Sequence, residues 1–236
     1  MNSVQLVAFI FFALPMAAGA AVRMLEPGAK WLRLLLSFSG AFLLGVVFLH
    51  MLPELYQEEG AGIGASVLAG FLLQVVLEFF SHGIEHGHMH HHAHGNASLP
   101  WITLLSLCLH SFTEGMPFAD PRVSSNLPFL LGVVLHKMPM AIALATVLQR
   151  AGSSPRAGWT MLLLFALAAP AGILAGQLAG DLLGGRFLHY MLGWAIGMLL
   201  HISTTIIFES SPEHRFNATR FVAVIIGAGL AAASIH

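Results

Sequence analysis

Three residues with metal-ligand chemistry occupy two successive apolar stretches: His110 and Glu114 in one, His136 in the next. A spacing of four residues is just over one helical turn, so His110 and Glu114 stack on one helix face. Two imidazoles and a carboxylate converging between two helices make a natural site for zinc or a similar divalent transition metal. Polar groups deep in a membrane span are expensive and mark function by default. The plainer reading, three side chains each hydrogen-bonded to a neighbouring helix, suits a lone histidine better than three ligand-type groups.

The elements that position these residues follow from composition. Of 236 residues, 57% are hydrophobic and 9% charged, against roughly 25% charged in soluble domains. So few charges cannot cover a soluble surface, and lipid is the solvent that fits. Apolar runs near 4–22, 34–53, 62–80, 100–119, 127–149, 159–180, 187–208 and 218–235 predict an all-α polytopic membrane protein of eight spans. The whole chain, 1–236, reads as one membrane domain. Residues 1–21 resemble a signal peptide only weakly, because no Lys or Arg precedes the apolar run, and they read as the first span.

Basic residues set the orientation. Arg23, Lys30, Arg33, Arg150, Arg156, Arg215 and Arg220 fall in loops on one side, and Arg122 and Arg186 on the other. The richer side is cytoplasmic by the positive-inside rule, which puts both termini outside. The net charge of -1 implies no attraction to nucleic acid. The one cysteine, Cys108, excludes an internal disulfide and reads as a small packed residue.

Seven of the fourteen histidines lie between His82 and His94, in a connection at 81–99 that falls on the cytoplasmic side. His86, His88 and His90 are candidates for weak, exchanging metal capture there, although such a loop also binds metal incidentally. His50 and Glu54, ahead of Glu58 and Glu59, give the outer end of the second span an acidic, cation-attracting character. Glu209 is an exit candidate at the cytoplasmic end of the seventh span, where interface anchoring explains it nearly as well. Pro117 and Pro139 lie just beyond the ligands, and a proline frees backbone carbonyls inside a span.

The run His110-Ser111-Phe112-Thr113-Glu114-Gly115 resembles the fourth-helix signature of the ZIP (ZRT/IRT-like) metal transporters. His136-Lys137-Met138-Pro139 resembles the fifth-helix signature of one ZIP branch, as does Phe165-Ala166-Leu167-Ala168-Ala169-Pro170 in the sixth. The resemblance implies eight helices, outward termini and a transport site at His110, Glu114 and His136. It further implies a metal riding on the bundle that holds the fourth and fifth helices, against one formed by the second, third, seventh and eighth. Where many members hold a second metal, this sequence has Ser111 and Lys137, with Met140 and Ala169 in place of two acids.

A protonated lysine cannot ligate, and two neutral histidines with one glutamate carry a single negative charge. A divalent ion beside a charged Lys137 would leave two uncompensated positive charges, so one metal is expected rather than two. Lys137 is expected to pair with Glu114 until metal displaces it, unless its position 100° round the helix turns it to an unrelated partner. Met140 offers a soft thioether one turn from His136, although a packed methionine is the simpler reading.

The expected function is therefore carriage of a divalent metal towards the cytoplasm, with Zn2+ as substrate and Fe2+, Mn2+ or Cd2+ also suited to the donors. Two rivals remain: an intramembrane zinc hydrolase, which lacks a His-Glu-x-x-His motif and a clear general base, and a metal sensor. The compact sequence suggests a bacterial inner membrane, and a homodimer is among the assemblies it allows.

Overall fold

The computed structural model describes residues 1–25, 29–59, 62–81, 83–84, 101–150, 154–209 and 217–234. The described residues are helical and include no strand, as the all-α expectation requires. We label the helices α1 (Ser3–Leu25), α2, α3 (Ile63–Ser81), α4 (Trp101–Gly115), α5 (Leu127–Arg150), α6 (Pro155–Leu183), α7 (Gly185–Glu209) and α8 (Ala218–Ala233). The rod α2 runs from Ala29–Val46 through a π-helical turn, Val47–Met51, into Leu52–Glu59.

Six of these helices, α1, α2, α3, α5, α6 and α7, are long and apolar enough to cross a membrane. The other two are shorter, α4 with 15 residues and α8 with 16. A 3-10 turn, Met116–Ala119, prolongs α4. Together they rise about 30 Å, the thickness of a hydrocarbon core. Large apolar side chains such as Leu72, Phe79, Leu178 and Phe208 remain exposed, as a lipid-facing surface requires.

Helix ends follow local chemistry. Ser154 and Asn217 cap α6 and α8 by accepting hydrogen bonds from Ala157 N at 3.3 Å and Arg220 N at 3.1 Å. Gly184, at φ +88°, makes the sharp link between α6 and α7 that a Cβ would strain. Pro117 sits in the 3-10 turn, so the α-helix ends one residue past Glu114.

Small residues weld particular helices together. Gly115, Gly172 and Gly176 bring α4 and α6 into backbone contact, facing Ala169, Phe112 and Met116. Gly70 and Gly197 do the same for α3 and α7, facing Trp194 and Val67. At each of these five glycines a Cβ would overlap a carbonyl oxygen of the opposite helix.

The contact between α3 and α4 is polar instead. Ser106 donates to the Leu77 carbonyl at 2.7 Å and Thr103 to the Phe80 carbonyl at 3.1 Å. The threonines Thr204 and Thr205 bond carbonyls of their own helix, at Leu200 and His201.

Candidate metal centre

The fold brings the three ligand-type residues of the sequence into one buried cluster. His110, Glu114 and His136 each offer a ligand atom within 4.8 Å of the others. The His110 Nε2 to Glu114 Oε2 distance is 4.0 Å, as expected for one helical turn. The two imidazoles stand edge to face with centroids 6.0 Å apart. Ligand atoms around tetrahedral zinc lie about 3.3 Å from one another, so a contraction of about 1.5 Å at most closes the site.

Two prolines shape the backbone here. Pro139 has no N–H to offer the Leu135 carbonyl next to His136. Pro117 follows Glu114 closely, where the helix tightens into its 3-10 turn.

Lys137 is buried beside the cluster, with its side chain 1% exposed. Its ammonium donates to Glu114 Oε2 and, at 3.0 Å, to Ser111 Oγ. The Phe11 ring lies 5.3 Å from the ammonium and the Phe165 ring 6.0 Å, so two aromatic faces replace part of its lost hydration. Lys137 thus neutralises Glu114 at the cost of taking both charges out of water. The second carboxylate oxygen, Glu114 Oε1, is buried and has no hydrogen-bond partner among the described residues. Met140 is fully buried in the apolar cluster of Leu107, Ala141, Leu144 and Phe165, a packed position.

A residue that sequence reasoning passed over joins the cluster from α3. Gln74, fully buried, places Oε1 2.9 Å from His110 Nδ1. A single amide in the apolar run 63–81 was the available signal. One turn further along α3, Glu78 pairs with His201 of α7, whose ring lies edge-on to Phe71 at 5.0 Å.

At one end of the bundle a second set of charges gathers. Glu54, Glu58, Asp120, Arg122 and His189 line one cleft with Met51 and Asn126. Arg122 donates to Asp120 at 3.3 Å, to Glu58 at 3.4 Å and to His189 Nε2 at 2.7 Å. The Asp120 carboxylate raises the arginine's already high pKa, so the guanidinium is always charged. Glu54 lies in this cleft. His50 instead bonds the Ala231 carbonyl at 3.2 Å and ties α2 to α8. The loop residues His86, His88 and His90 lie outside the described residues, as does the side chain of Glu209.

Comparison with known proteins places this arrangement. Zinc transporter ZIP13 of Pongo abelii is 29% identical over 162 residues, covering 61% of this chain and 47% of that protein. Zinc transporter ZIP13 of Bos taurus is 28% identical over 191 residues, covering 61% of this chain and 45% of that one. The chain therefore spans about half the length of the curated relatives it matches. The family described as ZIP Zinc transporter matches residues 85–234. That match takes in well over half the chain, both ligand-bearing helices included, and the protein belongs to the ZIP zinc transporter family.

Proposed function

We propose that this chain carries a divalent transition metal, zinc foremost, across a membrane towards the cytoplasm through a single site formed by His110, Glu114 and His136. The observation that carries the proposal is the convergence of three buried ligand-type side chains from two consecutive helices inside a lipid-facing bundle. Family membership supports it. Fe2+, Mn2+ and Cd2+ suit the same donors and are secondary substrates in this reading.

The charge balance supports one ion. Lys137 and Glu114 offset each other in the conformation described. An arriving dication competes with the ammonium for Glu114, and His110 and His136 supply the neutral donors. As the metal binds, Lys137 withdraws to Ser111 and the two aromatic rings. Three protein ligands leave a position for water, so the ion is held yet able to leave.

In the full proposal all eight helices cross the membrane and both termini lie outside. Residues 1–236 form one transport domain, with 81–99 a cytoplasmic capture loop on the releasing side. The cleft at Glu54 and Glu58 is the entrance and the region of Glu209 the exit. The family is one of transporters, which leaves the hydrolase reading without support. The bacterial inner membrane rests on the compact sequence alone, whereas the matched relatives are animal proteins, so membrane fractionation decides it. A homodimer is tested by cross-linking in the same membranes.

The decisive experiment is zinc flux into liposomes holding the purified protein and a metal-sensitive dye. Saturable flux that vanishes in His110→Ala and His136→Ala is the expected result. Binding without flux returns the sensor reading and ends this one.

A further inference from the structure

We infer that Gln74 of α3 is a positioning residue that holds His110 in the one tautomer able to bind metal. The inference rests on the proposed metal site and adds to it a part supplied by a different helix pair.

His110 turns Nε2 towards Glu114 and Nδ1 towards Gln74 Oε1, 2.9 Å away. A neutral imidazole carries its proton on one nitrogen only, and the other keeps the lone pair. Binding through Nε2 therefore requires the proton on Nδ1, and a proton there requires an acceptor beside it. The amide oxygen is that acceptor. The reversed amide would donate to Nδ1, move the proton to Nε2 and block the metal. Packing does not call for an amide at this place. Gln74 is fully buried and its Nε2 has no hydrogen-bond partner among the described residues. A leucine would fill nearly the same volume and bring no unpaired amide nitrogen into the core, so the amide serves the bond to His110 and not the packing.

The location matters as much as the bond. Gln74 belongs to α3, which is welded to α7 through Gly70 and Gly197. His110 belongs to α4, which is welded to α6 through Gly115, Gly172 and Gly176. The bond thus crosses between two tightly packed pairs along their polar contact. Any sliding of α4 along α3 removes the acceptor and releases the tautomer, which couples metal affinity to the relative position of the pairs.

The test uses the full chain with loop histidines 86, 88, 90, 91, 92 and 94 replaced by alanine, so that loop-bound zinc does not mask the site. Zinc affinity is measured by competition with a chromophoric chelator, and the His110 tautomer by 15N NMR of labelled histidine. Gln74→Leu is expected to weaken zinc binding by about 10- to 100-fold, the usual effect of losing a ligand's outer partner. It should also shift His110 away from the Nδ1-protonated form. Gln74→Glu, which keeps an acceptor, restores both. Unchanged affinity and tautomer in Gln74→Leu overturn the inference, and so does a Gln74→Glu protein as weak as Gln74→Leu, which would mean a packing role. His110→Ala is the control: binding that survives it overturns the metal site itself, whereas binding that falls there but not in Gln74→Leu overturns only the role of Gln74.

Discussion

Two clusters in this molecule use the same charges to different ends. At one end of the bundle, Arg122 is two-thirds exposed and shared between Asp120, Glu58 and His189. At mid-span, Lys137 and Glu114 are each 1% exposed and bonded to each other. In water-facing surroundings an ion pair contributes about 0–1 kcal/mol and salt screens it. Without water, breaking a pair leaves an uncompensated charge and costs about 3–5 kcal/mol. The lesson is that the inner pair is costly to keep and costly to break on one side. Stability alone would favour apolar residues there, which is in keeping with the metal chemistry proposed above. The exposed cluster is cheap and adjustable.

The sharpest break of this contrast is His136→Ala, which removes a ligand while leaving the Lys137–Glu114 pair intact. Liposome zinc flux should fall to background while the thermal midpoint moves little. Next, Lys137→Met strips Glu114 of its partner. The metal-free protein should lose about 3 kcal/mol of stability, and added zinc should recover most of the loss, seen as a larger zinc-induced rise in melting temperature. Gly172→Val tests the packing that holds the inner cluster. Its branched side chain meets the Phe112 backbone, and overpacking of this kind costs about 1–3 kcal/mol, read as a lower melting temperature with flux reduced. The smallest effect is expected from Arg122→Ala: a modest fall in the zinc KM at low ionic strength that disappears at high salt, with stability within about 1 kcal/mol.

The end of α4 near Pro117, the helix-spaced pair His110 and Glu114, and the apolar runs were legible because each depends on local rules of helix geometry or hydropathy, whereas α5 runs unbroken through Pro139. Helix limits moved by a few residues, as at α6, which starts at Pro155 because Ser154 caps it. The uncertain partner of Lys137 was decided by a neighbour on another helix, and the ambiguous Met140 by the apolar packing around it. His50, an acidic-mouth candidate by position, turned to α8 because the π-helical turn lies beside that helix's last carbonyls.

By itself the amino-acid order determined a lipid-embedded helical chain with ligand-type residues on two successive helices, because hydrophobic length and the 3.6-residue period are properties of single segments. Only the tertiary structure decided that Lys137 meets Glu114 and Ser111, that Gln74 meets His110, and that Glu78 meets His201. Those pairs join residues 23 to 123 positions apart in the chain. Whether such groups touch depends on how closely two helices approach, and that is set by glycines and by packing, not by the sequence around either residue.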